Sequence, residues 1–367
     1  MINKDNWNQT KERFELFWSL ENHDRPLFEI TGIKEGFIPK KISKPDSLWQ
    51  RWLDGEYVEK MARDKMEGTY YAYEAFPTYM PDLGPDILGA ILGDDLIFHN
   101  ETSYAAHTMK ETEWGARSFA FDRTNIWHRR IHELTEYMVK EARGDYLVGL
   151  ADYHPGCDAL VSLRGPENLC CDLYDYAEEV KKAISEICNT FQTVLDENHS
   201  LLNRYQSGST TWMHIWHPKL WYVTSCDFIG MISKEMFHKF VADELQAELN
   251  FLDASVFHLD GPAAINNHLD RILEFDALNG VQVCYGAGSG RATDWLGACK
   301  KIQQKGKIVH LTVAPEEIPA IVGTLKPEGL FLDVVRDPYN MLSKPFSQGE
   351  VQDIERMVRG LSKKILF

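Results

Sequence analysis

The chain has 367 residues, 44% of them hydrophobic and 26% charged, which fits a globular protein with a large core. Its 39 basic and 55 acidic side chains give a net charge of −16, so phosphate backbones and anionic lipid are repelled and neither nucleic acid nor a membrane is an expected partner. Seven irregularly spaced cysteines, a polar start (Met1-Ile2-Asn3-Lys4-Asp5) and the lack of any long apolar run lead to the expectation of a cytoplasmic protein.

A helical pattern from Trp7 to Leu20 precedes the break His23-Asp24-Arg25-Pro26, and Leu27 to Thr31 then reads as the first strand. A strand near Ala75 to Met80 is the least defined. The stretch from Pro81 to Asn125 reads as an insertion or lid, with Trp114, Phe119, Phe121 and Trp127 as its packing residues, or as a subdomain with a small core of its own. Beyond it, strands are predicted at Tyr146 to Leu150, Thr211 to Trp216, Ser255 to Leu259, Val281 to Tyr285, Ile308 to Val313 and Leu330 to Val334. Helices are predicted at Trp127 to Glu141, Ala177 to Leu202, Lys234 to Asp253, Asn266 to Phe275, Ala292 to Gln304, Pro315 to Leu325 and Gln348 to Leu361. This alternation predicts a single-domain α/β protein over residues 1–367. The form expected is a TIM (β/α)8 barrel with an N-terminal helical extension and an inserted lid-like segment; a doubly wound open sheet is the alternative.

Parallel barrels carry their chemistry at the carboxyl ends of the strands. After Leu150 come Asp152, His154 and Asp158, with Arg164 further on. Asp152 and Arg164 are candidate catalytic groups, and an Asp158–Arg164 ion pair that merely fixes the loop is the structural alternative. Trp216 and His217 end the next strand and are candidate substrate contacts. His214 and His217 are three apart, which puts them on opposite faces of a strand and argues against one shared metal. Asp227 precedes a helix started by Ser233; it is either a catalytic carboxylate or a turn residue.

The sharpest motif is Phe257-His258-Leu259-Asp260-Gly261-Pro262. His258 and Asp260 fall on one face of a strand, about 6.6 Å apart along it, which suits two ligands of one ion or a base with its partner. The next strand ends Cys284-Tyr285, followed by a turn with glycines at 286, 288 and 290. Cys284 is a candidate thiolate ligand or a small buried residue, and Tyr285 a candidate substrate contact. The glycine turn is a weak match to a dinucleotide fingerprint but could hold an anion on its backbone. Asp333 and Arg336 close the last strand.

In this order the motifs resemble the uroporphyrinogen decarboxylase-like superfamily. The resemblance is carried by Cys226-Asp227-Phe228, Ser233-Lys234-Glu235-Met236-Phe237, Phe257-His258-Leu259-Asp260-Gly261, Thr312-Val313-Ala314-Pro315 and Gly329-Leu330-Phe331-Leu332. It extends more weakly to Pro81-Asp82-Leu83-Gly84-Pro85 and Leu163-Arg164-Gly165. The resemblance implies a TIM barrel and one of two chemistries. One is cofactor-free decarboxylation of uroporphyrinogen; the other is methyl transfer between a small methylated compound or thiol and a corrinoid protein, usually with zinc. The decarboxylases carry an arginine-rich loop where this chain has Arg25-Pro26-Leu27-Phe28-Glu29-Ile30-Thr31, with one Arg and with Glu29 as the substrate-side candidate. The zinc methyltransferases carry His-x-Cys where this chain has His258-Leu259-Asp260, and a later Cys near the place of Asp333. The expectation is therefore a methyltransferase with a metal, zinc, at His258, Asp260 and Cys284. Its expected partners are a small methylated substrate, a corrinoid (cobalamin-carrying) protein and, as an option, a second copy of the chain. A decarboxylase and a barrel hydrolase with paired carboxylates are the alternatives.

Overall fold

The computed structural model describes residues 1–286, 288–338, 340 and 343–365, with side chains described up to residue 361. Its strands are β1 (Leu27–Ile33), β2 (Thr69–Tyr73), β3 (Thr78–Tyr79), β4 (Leu96–Phe98), β5 (Ser103–Ala105), β6 (Leu147–Val148), β7 (Trp221–Ser225), β8 (Ala254–Asp260), β9 (Gly280–Cys284), β10 (Ile308–Val313), β11 (Leu330–Val334) and β12 (Phe346–Ser347). The central sheet runs β12-β1-β11-β10-β9-β8-β7, with β2 antiparallel on β1 and the other pairings parallel. The protein is thus mixed α/β with a parallel core, as expected.

The expected closed barrel is not what the strand ladder shows. β3 and β6 form a separate two-residue parallel ladder, and among the described residues no ladder joins it to the main sheet. Side chains and single bonds bridge the gap instead. The Gln206 amide accepts from Val148 N (2.9 Å) and donates to Val148 O (2.8 Å), Leu150 N donates to Thr210 O (2.9 Å), and the Tyr222 hydroxyl donates to Ala151 O (2.6 Å). The buried backbone polar groups here are satisfied without strand pairing.

One strand was misplaced. Thr211 to Trp216 is an irregular turn, tied by His214 N to Thr211 O at 3.0 Å, and the strand follows it at Trp221–Ser225. The apolar pattern at Met213, Ile215 and Trp216 comes from burial in the core below, whereas β7 is buried along its whole length and so shows no alternation. The helix predicted over Lys234 to Asp253 is two helices, Lys234–Phe240 and Ala242–Phe251, meeting at Val241. β2, β12 and the hairpin β4–β5 were not anticipated; nor were the helices Leu48–Leu53, Gly55–Glu67, Ile87–Ile91, Gly156–Arg164 and Pro166–Asp175. Within residues 81–125, Leu83, Ile87, Leu88, Leu96, Met109 and Phe119 pack into the main core.

Two apolar clusters define the two faces of the sheet. Phe28, Ile30, Phe257, Leu259, Val281, Val309, Leu311 and Leu332 belong to the large cluster shared with the surrounding helices. Leu27, Val223, Val256, Ile308 and Phe331 belong to a smaller one, closed below by Phe14 and Phe17 of the N-terminal helix Trp7–Trp18. Side chains alternate along a strand. The face that starts with the smaller cluster therefore continues, two residues further on, as Glu29, Ser225, His258, Gln282, His310 and Asp333. Beyond these come Thr31, Asp260, Cys284 and Thr312. A polar layer thus sits on an apolar plug, at the carboxyl ends of the parallel strands.

Candidate functional site

His258 and Asp260 emerge together on this inner face, as the two-residue spacing predicted. Parallel register puts Gln282 beside His258 and Cys284 beside Asp260. Ligand atoms of His258, Asp260 and Cys284 lie within 4.8 Å of one another. The set offers an imidazole nitrogen, a carboxylate oxygen and a sulfur, a combination that zinc accepts with one coordination position left open. The Gln282 side-chain carbonyl accepts from His258 Nδ1, which leaves Nε2 with its lone pair free to bind. The Trp212 ring meets the His258 ring edge-on at 5.2 Å. Burial, with Asp260 adding to it, pushes the Cys284 thiol up to about 12.

Asp227 joins this group to a second one. Its Oδ1 is 3.9 Å from His258 Nε2, and it also lies within 4.8 Å of His154 and Asp158. His154 sits between Asp152 (3.1 Å from Nε2) and Asp158 (3.4 Å from Nδ1), with the Ser225 hydroxyl 3.1 Å from Nδ1. Burial opposes its charge, but the aspartates outweigh burial and hold its pKa well above the ordinary value. Asp158 is buried and accepts from Asp227 N (2.8 Å) and Phe228 N (3.0 Å), so it fixes the turn that presents Asp227. Burial and then Asp158 raise the Asp227 carboxyl, against the pull of His258 and His154. His154, Asp158 and Asp227 line a small cavity of about 260 Å³.

A larger cavity, about 650 Å³, opens beside β1. Glu29, Thr31, Tyr71, Thr78, Met80, Asp82 and His214 line it, together with residues of the helices Leu48–Leu53 and Gly55–Glu67. Glu29 Oε1 and His214 Nδ1 are 2.6 Å apart. Behind them Asp333, the register partner of Glu29, takes a hydrogen bond from the Thr312 hydroxyl at 3.1 Å. Burial, reinforced by Glu29, raises Asp333 to about 7. Burial next to His258 and His214 lowers His310 to about 3.

Other expected site residues lie elsewhere. Arg164 is buried at the end of helix Gly156–Arg164, but its partner is Asp172 rather than Asp158. Nε and Nη2 reach the Asp172 carboxylate at 2.7 and 3.1 Å, and Nη1 donates to Met109 O. The guanidinium is thus committed to Asp172 and to the Met109 carbonyl. Trp216 is buried in the apolar plug and donates to Ser207 O at 3.0 Å, and His217 packs edge-on against Trp18. Both precede β7, so they lie at the amino end of the strand, opposite to where a substrate contact was expected. Tyr285 is buried and donates to Thr312 O at 2.9 Å. The glycine turn has positive φ at Gly286, Gly288 and Gly290; Ala287 within it lies outside the described residues.

Gln282, His310 and Thr312 are not among the expected site residues, although strand parity alone places them on the face of Cys284 and Ile308. Tyr71, Phe76 and Tyr79, from an aromatic run (with Tyr70 and Tyr73) expected either to line an apolar pocket or to pack in the core, line this cavity, whereas Lys65, on a helix that is not predicted, carries no sequence signal. Among the described residues, no helix is long and apolar enough to cross a membrane.

No family model and no curated protein matches the sequence. Among solved structures, a methyltransferase from Methanosarcina mazei matches with a TM-score of 0.54 at 10% identity, over 92% of this chain and 95% of that chain. At this identity the likeness is one of fold.

Proposed function

We propose that this chain is a metal-assisted methyltransferase related to the uroporphyrinogen decarboxylase-like superfamily. It moves a methyl group from a small methylated compound to a corrinoid protein, or from that protein to a thiol. The observation that carries the reading is the meeting of His258, Asp260 and Cys284 on the inner face, at the carboxyl ends of two paired strands. The fold likeness to a protein named as a methyltransferase supports it.

The donor set fits zinc, which when bound supplies Lewis acidity to a thiol or to the atom that carries the methyl group. The protein's own residues do the rest. Gln282 orients His258 through Nδ1, and Asp158 sets the turn that brings Asp227 to the same place. The 650 Å³ cavity holds a small substrate between aromatic and Met side chains. The segment 81–125 begins at the mouth, where Asp82 lines the larger cavity and Asp86 the smaller, and it serves as cover.

Decarboxylation of a polycarboxylate is disfavoured on a specific ground. Arg25, the one arginine of the N-terminal region where decarboxylases hold substrate carboxylates, is bound to buried Glu74 at 2.6 and 3.0 Å. The test is methylation of free cob(I)alamin, followed by its absorption spectrum, with purified protein and a panel of methyl ethers, methylamines and methyl thioethers. Turnover that disappears in His258→Ala and Cys284→Ala variants supports the reading. Turnover in metal-stripped protein at the wild-type rate contradicts it.

A further inference from the structure

We propose that Glu29 and His214 form the proton-donating pair of this site, with His214 Nε2 delivering a proton to the atom the methyl group leaves. The assignment rests on the methyl-transfer reading and extends it to residues outside the metal group.

The geometry is specific. His214 is a non-glycine residue at φ +51°, a backbone state that is kept only where its surroundings enforce it. The enforcement is visible: Met213, Ile215 and Trp216 are all anchored in the apolar plug, and Thr211 Oγ1 takes the Met213 N–H at 3.3 Å. That anchoring turns His214 away from the plug and into the 650 Å³ cavity, where its side chain remains 42% exposed. Glu29 holds Nδ1 at 2.6 Å, so the ring is oriented and Nε2 is the nitrogen left to meet a ligand. The same turn carries Trp212 onto His258, which ties the pair to the metal group through two residues of chain.

The charged and titratable groups around the pair come from several elements. Asp333 of β11 stands beside Glu29, Tyr71 of β2 lies near Glu29, and Lys65 of helix Gly55–Glu67 and His310 of β10 act on His214 or are acted on by it. Burial opposes the charge on His214, but Glu29 and Asp333 outweigh burial and Lys65, so its pKa is raised above the ordinary imidazole value.

The step balances. An acceptor nucleophile with an available electron pair takes the methyl carbon, and the bond from that carbon to oxygen or nitrogen breaks with its pair left on the departing atom. That atom takes the proton from His214 Nε2. The imidazole is left neutral, with its Nδ1–H still bonded to the Glu29 carboxylate.

The test compares two methyl aryl ethers, anisole and 4-nitroanisole, with cob(I)alamin as acceptor. The nitrophenolate leaves without help, whereas phenolate needs the proton. His214→Asn suits the left-handed backbone and removes the titrating ring. It is expected to lower kcat for anisole by about 100-fold, spare 4-nitroanisole, and leave metal content unchanged. Glu29→Gln is expected to lower the pKa of the His214 ring, read by NMR titration, and to move the alkaline limb of the anisole pH profile down with it. Equal losses on both ethers, or none, overturn the assignment while the methyl-transfer reading stands. A wild-type protein that demethylates neither ether, nor any other methyl donor, overturns both.

Discussion

Asp260 and Cys284 are register partners on adjacent parallel strands, so the carboxylate and the thiol are brought side by side by the sheet itself rather than by a loop. His258 precedes Asp260 by one pleat on the same face, and Gln282 stands to His258 as Cys284 stands to Asp260. A site built on strands in this way is rigid, and its ligand spacing is set by strand geometry.

The role of Gln282 can be tested apart from the ligands. It binds nothing itself in this account; it fixes the His258 ring through Nδ1. Gln282→Leu is expected to weaken zinc binding by about 10 to 100-fold. Competition against a chromophoric chelator measures this, and an unchanged affinity would show that Gln282 does not orient the ligand.

Arg164 is expected to behave as a structural residue. Arg164→Met leaves the buried Asp172 carboxylate without its partner and should cost about 3–5 kcal/mol in urea unfolding. Combining it with Asp172→Leu should recover much of that loss. Activity per folded molecule should stay near wild type, and a loss of turnover at full stability would restore the catalytic reading.

Asp333 gives a pH signature. Its folded pKa is raised to about 7 from an ordinary value of 3.8. A carboxyl shifted in this direction holds its proton more tightly when folded, so its contribution is present below about pH 4 and is lost as pH rises through 7. Asp333→Asn imitates the protonated form. It should therefore raise Tm relative to wild type at pH 8 and change it little at pH 4. Scanning calorimetry at the two pH values decides the point.

His310 should act on the acid side. Buried, and stacked on Phe331 at 5.1 Å, it has its folded pKa lowered to about 3, whereas the unfolded chain binds the proton near 6.5. Between those values the unfolded state holds more protons, so stability falls as pH falls, by up to about 1.4 kcal/mol per pH unit. His310→Leu should flatten the loss of stability between about pH 6 and 4. An unchanged slope would mean that the ring is protonated in the folded state.

The legible strands are short apolar runs that end at turn residues, although they are buried on both faces. The strands carrying His258, Cys284, His310 and Asp333 were placed close to their true bounds, and parity fixed which residues share the inner face. Trp221–Ser225 was not legible because the preceding turn mimics a strand through three residues, Met213, Ile215 and Trp216, that dip into the plug. That single displacement carried Trp216 and His217 to the wrong end of the molecule. The pairing of Arg164 with Asp172 was invisible for another reason: a local sequence offers several acids, and only the packing of helix Gly156–Arg164 against Pro166–Asp175 selects one. The Glu29–His214 contact joins residues 185 positions apart, and nothing in the sequence alone could have paired them.

The central claim is that His258, Asp260 and Cys284 hold one metal ion. X-ray absorption at the zinc edge, on protein loaded with one equivalent, tests it most directly. The account predicts a single sulfur scatterer at about 2.3 Å among nitrogen and oxygen neighbours at about 2.0–2.1 Å, with the sulfur lost in Cys284→Ser. A zinc shell without sulfur, or protein that retains no zinc, would contradict it.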